Sequence, residues 1–374
     1  METLETQRGG AAAGGGTYPV HRRSLAYTGA ALAALYFMDR DRETTARPVT
    51  TRIDNRRPPT GRGREADRPR DIPARGWKDI AWRVYRQIGC DNIDLIAAGV
   101  AFYTLLALFP AIAALVSIYG LVADRATVLE HTDKLAGFLP QGAVDLISGQ
   151  MEAIASQPQG ALGLGFVLGL GLSIWGANKA MKSMLSALNV AYDETEKRGM
   201  IALNAVSIAF TLGAIVLVLV ALGVIIAIPI VMRAMGISGG AGLAVELLRW
   251  PILLIVALAG MATLYRYGPS RTEAKWRWIT PGGAVAAVLW IAASVLFSWY
   301  VTNFGSYNET YGSLGAVIVF MTWVWLSAMT LLIGAELNAE AERQTTRDST
   351  VGPPRPMGQR GAHAADTLGE PAGT

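Results

Sequence analysis

Charged residues are absent from six long stretches of the chain, and the predicted architecture follows from their positions. No Asp, Glu, Lys or Arg occurs in 95–123, 153–178, 199–232, 250–265, 278–308 or 310–335. A charge at the centre of a bilayer costs roughly 2.5–3.5 kcal/mol on insertion scales. Core helices of soluble proteins rarely stay apolar all round for five or six turns. The pattern therefore predicts a polytopic membrane protein.

We predict an all-α fold, a six-helix transmembrane bundle with disordered termini and an amphipathic helix in its longest outer loop. The fourth span is the weakest, because Arg249 and Arg266 bracket only 16 uncharged residues. Apolar side chains recur at three- and four-residue spacing over 144–154, which indicates a helix on the bundle surface, with a partner-binding helix or a lid as alternatives. The spans are expected at about 95–121, 160–178, 203–231, 247–267, 280–303 and 314–337.

Basic residues in the short loops predict the orientation of the bundle. By this topology 14 Lys and Arg residues lie on one side and 4 on the other, and the excess alternates correctly across every span. Cytoplasmic loops carry the excess of Lys and Arg in membrane proteins. We therefore expect both termini in the cytoplasm and the lipid bilayer as the main partner.

The two ends of the chain differ in composition from the membrane domain, which is predicted at 76–345. Residues 39–76 contain 11 arginines and 5 prolines, so 1–75 is expected to be a disordered extension and 346–374 a disordered tail. An arginine-rich arm can bind anionic lipid or nucleic acid. Seven interspersed acids favour a solvated linker, and no nucleic acid is expected. The apolar segment 25–37 is short for a span, which favours an interfacial helix over a seventh crossing.

Cysteine and histidine usage excludes several kinds of site. The single cysteine, Cys90, excludes a disulfide scaffold and a cysteine-ligated zinc site. The three histidines, His21, His131 and His363, are scattered, and no phosphate-binding glycine loop is present. We therefore expect no cofactor, no metal and no catalytic residues.

Polar residues at the inner edge of the predicted spans form the candidate functional cluster. We hypothesise that Lys179 pairs with Glu336 or a neighbouring acid and that the cluster closes the cytoplasmic end of a cavity. The alternative is that these groups cap helix ends among lipid headgroups. The candidate residues are Asp94, Asn178, Lys179, Asn204, Glu336 and Asn338.

Glycines run through the second predicted span, including a G-x-x-x-G at 165–169. Small residues let helix backbones approach closely inside a membrane. Tight packing within the chain is the favoured interpretation, and a homo-oligomer interface is the alternative.

Three segments resemble the YihY/virulence factor BrkB family, formerly labelled ribonuclease BN-like. They are 92–121 (NIDLIAAGVAFYTLLALFPAIAALVSIYGL), 175–192 (WGANKAMKSMLSALNVAY) and 311–340 (YGSLGAVIVFMTWVWLSAMTLLIGAELNAE). The resemblance covers about 77–343 and implies a bacterial inner-membrane protein with about six helices. The polar residue of the second-span motif stands here as Asn178. The family pattern carries over to Tyr311, Gly312, Ser313, Leu314, Gly315, Glu336, Asn338 and Glu340.

The resemblance leaves the activity open. Metal-assisted phosphodiester cleavage needs clustered carboxylates or histidines, and the inner-edge acids are too few, so ribonuclease activity is not expected. One hypothesis is a protein that moves a solute, ion or lipid through a cavity lined by Glu336 and Asn204. The other is a non-transporting envelope-integrity or scaffold protein.

Overall fold

A computed structural model describes residues 61–122, 159–234, 239–304 and 313–372. Apart from one isolated bridge between Ala274 and Thr350, these ranges hold no β-structure, and the predicted all-α class is confirmed. The predicted helix at 144–154 and the apolar segment 25–37 lie outside them. The helices are α1 Ala74–Cys90, α2 Ile93–Val122, α3 Gln159–Ala191, α4 Met200–Ala234, α5 Gly239–Tyr267, α6 Trp276–Phe304, α7 Ser313–Glu342 and the short α8 His363–Asp366.

Five of these helices are long and apolar enough to cross a membrane, judged over the described residues. At most 22% of the most apolar window of each is buried, so their apolar side chains face outward, as lipid contact requires. The second predicted span, 160–178, lies in α3, which is not among the five, and the count of six stays a prediction. The five segments are Ile93–Ile112, Met200–Ile225, Leu247–Tyr267, Trp276–Asn303 and Leu314–Glu342.

Helix α7 is central to the bundle and packs against α1, α2, α3 and α6. Small residues permit the closest approaches. A Cβ at Gly282 of α6 would overlap the carbonyl oxygen of Gly334 on α7. A Cβ at Gly176, in the glycine-rich part of α3, would meet the backbone of Ala107 on α2. This glycine is therefore used for packing within the chain.

The polar ends of the helices are joined on one side of the bundle, which we call the polar face. The Asn189 amide oxygen accepts a hydrogen bond from the backbone of Ser270 at 2.7 Å, and the Ser270 hydroxyl accepts one from the backbone of Lys197 at 2.9 Å. The backbone of Lys275 donates to the carbonyl of Ser349 at 2.9 Å. The polar face comprises residues 61–92, 189–199, 266–280 and 338–372.

Residues 61–75 and 346–372 differ from the predicted disorder, because both segments pack on the polar face. Arg64 donates to the carbonyl of Gly369 at 2.6 Å, and Arg360 is buried and donates to the carbonyl of Ala365 at 2.7 Å. Ala66 and Ile72 join a small apolar cluster with α1 and α6. Composition predicts disorder by counting apolar residues, whereas arginine bonds to backbone carbonyls contribute much of the order here.

Candidate functional site

Two residues in left-handed backbone conformations end α1 and α3 beside the candidate site. Asn92 has a φ of 50° and Asp193 a φ of 52°. Asn and Asp are among the non-glycine residues that adopt this conformation most readily. The two turns place Asp91 and Tyr192, their immediate neighbours, at the polar ends of α1 and α3.

Glu336 of α7 carries a buried carboxylate at the end of its apolar helix. Its exposed fraction is 1%, and neither oxygen accepts a hydrogen bond from the part of the chain that the structure describes. The Asp91 carboxyl lies within hydrogen-bond reach of it and also accepts from the Gln87 amide at 2.9 Å. Burial raises the pKa of Asp91. Two carboxyl groups in contact resist full ionisation, so a proton shared between Asp91 and Glu336 relieves their repulsion.

Tyr192 and Asn338 extend the buried group. The Asn338 oxygen accepts from the backbone of Gly282 at 2.8 Å, and the Asn338 side chain neighbours the Tyr192 hydroxyl. Neither that hydroxyl nor the Asn338 amide nitrogen makes a hydrogen bond of good geometry with a described residue. Burial raises the pKa of Tyr192, which keeps the hydroxyl neutral and able to donate. We call the buried Tyr192, Glu336 and Asn338, together with the half-buried Asp91, the buried polar centre.

Two buried ion pairs lie on the polar-face side of this centre. Arg271 donates to both oxygens of Glu342 at 2.7 and 2.9 Å, and the Arg271 guanidinium lies 4.8 Å from the centre of the Tyr192 ring. Arg83 donates to Glu340, and both side chains are buried. The acids one and two turns beyond Glu336 are therefore each matched by an arginine.

The candidate cluster from the sequence divides into two groups. Glu336 and Asn338 lie together in the buried polar centre. Asn178 and Asn204 lie at the contact between α3 and α4, where Asn178 donates to the Ser207 hydroxyl at 3.0 Å and Asn204 accepts from Lys182. The amides of α3 and α4 therefore join those two helices.

The structure does not bring Lys179 and Glu336 together. Lys179 is exposed on α3, and its ammonium nitrogen lies 5.7 Å from the centre of the Trp175 ring. The hypothesised ion pair is absent between these two described residues, because Lys179 points away from the bundle interior. Asp94 is exposed, and its backbone carbonyl accepts from the Trp325 indole at 2.9 Å.

The residues of the family pattern lie at both ends of α7. Tyr311 and Gly312 fall outside the described residues, and α7 begins at Ser313. Leu314 is exposed and Gly315 is buried. At the other end the pattern supplies Glu336 and Asn338 to the buried polar centre and Glu340 to its ion pair with Arg83.

Comparison with known proteins identifies the family. The model of the family described as virulence factor BrkB matches residues 84–358, well over half of the chain. The chain belongs to this family. It is 31% identical to the ribonuclease-like protein YfkH of Bacillus subtilis over 252 residues, which cover 65% of this chain and 88% of that protein. It is 27% identical to the UPF0761 membrane protein PSHAa0171 of Pseudoalteromonas translucida over 273 residues, which cover 69% of this chain and 84% of that protein. No solved structure matches.

The BrkB-family match and the apolar helices together establish a multi-pass integral membrane protein. The word ribonuclease belongs to the name of YfkH, and UPF0761 relatives are named only as membrane proteins. In the ranges that the structure describes, no three His, Cys, Asp or Glu side chains form a group that could hold a metal ion.

Proposed function

We propose that this BrkB-family protein moves a solute, ion or lipid across the bacterial inner membrane and that the buried polar centre holds the substrate or a coupling proton. The observation that supports the proposal is the Glu336 carboxylate, buried without a hydrogen-bond donor among the described residues. Such burial costs several kcal/mol unless a proton or cation compensates it. Ionisable residues that face the interior of a membrane bundle mark ion and substrate pathways.

The chemistry of the centre suits a proton or a cation. The Asp91 and Glu336 carboxyl groups form an acidic pair that accepts positive charge. The Tyr192 hydroxyl and the Asn338 amide add neutral polar groups that orient a ligand without adding charge. The basic-residue count supports placing the polar face in the cytoplasm, so the centre would meet the cytoplasmic end of the pathway.

The test is reconstitution of the full chain into liposomes. A pH-sensitive dye inside the liposomes reports proton entry, and fluorescently labelled lipid reports lipid movement. We expect movement of at least one probe above the level of empty liposomes and at least a tenfold loss in Glu336→Gln. Glu370→Gln is the matched control, because the Glu370 side chain is 70% exposed on the same face.

Two outcomes contradict the proposal. Wild-type liposomes that match empty ones with every probe would refute transport and favour the non-transporting envelope or scaffold role. Transport that Glu336→Gln and Glu370→Gln leave equally intact would keep the activity and remove the buried polar centre from it.

A further inference from the structure

A shallow groove of about 420 Å³ opens on the polar face, where the short helical turn Pro69–Asp71 packs beside the beginning of α6. Three of its six lining residues are arginines, and none of the six belongs to the buried polar centre. The lining residues are Arg68, Pro69, Arg70, Arg277, Thr280 and Pro281.

Within the described ranges, few acidic side chains neutralise the positive charge of this groove. Arg68 and Arg277 are exposed and form no ion pair with any described residue. Arg70 approaches Asp71 only at 3.8 Å, with side chains 73% and 46% exposed. An exposed ion pair of this length is weak and holds the Arg70 guanidinium only loosely. Three guanidinium groups with free donors at one groove match a phosphate-bearing anion.

The groove lies at the depth of lipid headgroups. The apolar span of α6 begins at Trp276, so Arg277 and Pro281 occupy the first turns, where the span meets the polar face. Arginine at this depth reaches headgroup phosphates of the adjacent leaflet.

An apolar stripe continues from the groove along the outer surface of α6. Positions 284, 288, 291 and 295 follow Pro281 at three- and four-residue spacing and therefore share one helix face. On this face Val288 is 67% exposed and Val295 is 63% exposed, and Ile291 is also exposed. The arrangement offers a cationic site for a headgroup and an apolar surface for the chain attached to it. A free phosphate ion would use only the first of these.

We propose that this groove binds the phosphate of an anionic phospholipid, whose acyl chain lies along the α6 stripe. The guanidinium groups of Arg68, Arg70 and Arg277 hold the headgroup by charge and hydrogen bonds. The site does not depend on the proposed transport function, because it shares no residue with the buried polar centre. It anchors residues 68–71 and the beginning of α6 to the same leaflet.

The test is a titration of the purified full-length chain in neutral detergent, read by native mass spectrometry. The probes are phosphatidylglycerol, phosphatidylcholine and inorganic phosphate, each added separately, and the apparent Kd of the first bound molecule is measured. The test variant is Arg68→Gln/Arg277→Gln. The control variant is Arg86→Gln/Arg355→Gln, which removes the same charge from exposed positions elsewhere on the polar face.

We expect phosphatidylglycerol to bind more tightly than the other two probes. The test variant should weaken it at least fivefold, since one basic residue near a lipid surface contributes about fivefold in affinity. The control variant should retain wild-type affinity, and both variants should keep the wild-type helix content. Equal losses of phosphatidylglycerol affinity in both variants would show that only the net charge of the protein matters and would overturn the proposed site. Inorganic phosphate bound as tightly as phosphatidylglycerol would overturn the lipid assignment.

Discussion

The buried pair of Arg271 and Glu342 gives a sharp prediction about the stability of the polar face. Glu342 accepts two hydrogen bonds from Arg271 and one from the Ser349 hydroxyl at 2.6 Å, and the Arg271 and Glu342 side chains are 2% and 0% exposed. In Arg271→Met the carboxylate stays buried with only the hydroxyl as a donor. Removing one partner of a buried pair costs about 3–5 kcal/mol, and we expect a loss of this size in the free energy of unfolding.

Removing both charges should recover most of that loss. In Arg271→Met/Glu342→Leu no charge remains buried, and apolar side chains of similar volume fill the site. Replacing a whole buried pair in this way is often neutral or stabilising. Ser349 loses its acceptor, which costs about 1 kcal/mol. The double variant should therefore lie within about 2 kcal/mol of the wild type, far from the sum of the two single losses.

The assay is reversible unfolding by SDS in mixed micelles, followed by circular dichroism. Arg70→Met is the control, because the Arg70–Asp71 pair is exposed and 3.8 Å long, so its change should stay below about 1 kcal/mol. A loss below about 1 kcal/mol in Arg271→Met, or a double variant that equals the sum of the singles, would refute the energetic role of the pair.

Three further predictions concern packing, pH and orientation. Gly282→Ala should cost about 1–3 kcal/mol because its Cβ overlaps the Gly334 carbonyl, whereas Gly283→Ala, with no atom within 4 Å of its Cβ, should leave the midpoint of SDS unfolding unchanged or raised. Burial opposes ionisation of Glu196, but hydrogen bonds from Arg198 and other neighbours lower its pKa to about 2 from 4.5. The ionised Glu196 carboxylate therefore stabilises the fold fully above pH 4.5, and this stabilisation is lost as the pH falls towards 2. Because the group is exposed, the loss in the free energy of unfolding should stay at about 1 kcal/mol or less. Glu196→Gln should abolish this pH dependence when unfolding is measured between pH 2 and 4.5. The single, exposed Cys90 should react with a membrane-impermeant maleimide in inverted vesicles and not in right-side-out ones, and the reverse result would invert the predicted orientation.

The membrane segments were predictable because burying charge in lipid is costly, so charged residues are absent from the segments that cross the bilayer. The predicted spans 203–231 and 280–303 lie within α4 and α6, and the structure differs mainly by extending the helices beyond the apolar stretch. The helices are longer than the apolar stretches because they continue past the hydrocarbon boundary to the polar face. The packing between helices was not predictable in this way, because the close contact of Gly282 with Gly334 follows from no pattern within one segment.

The order of the terminal segments was not predictable from composition. Residues 61–75 and 346–372 contain few apolar side chains, which is typical of disorder. Their arginines instead find carbonyl acceptors, either on a distant part of the chain, as Arg64 does on Gly369, or within the same segment, as Arg360 does on Ala365. Such pairings join positions about 300 residues apart in the case of Arg64, and no local pattern reveals them.

The buried polar centre was predictable only in part. Glu336 and Asn338 stand out as polar residues at the end of an apolar helix, and the sequence places Asp91 at the same depth. Tyr192 gives no comparable signal, because aromatic residues near span ends are typical of the membrane interface. Its burial depends on the left-handed turn at Asp193 and on the packing of α3 against α7.

The contrast among the three acids of α7 supports a functional role for Glu336. Glu340 and Glu342 are each paired with a buried arginine, Arg83 and Arg271. The chain therefore places arginines against buried acids on this very helix, one turn away from Glu336. A structural role for Glu336 would be served by the same arrangement or by an apolar residue, both of which cost less than a carboxylate without a donor. A site that must bind and release a proton or cation needs an acid without a fixed cationic partner, and among the described residues Glu336 forms no ion pair and lies beside the Asp91 carboxyl.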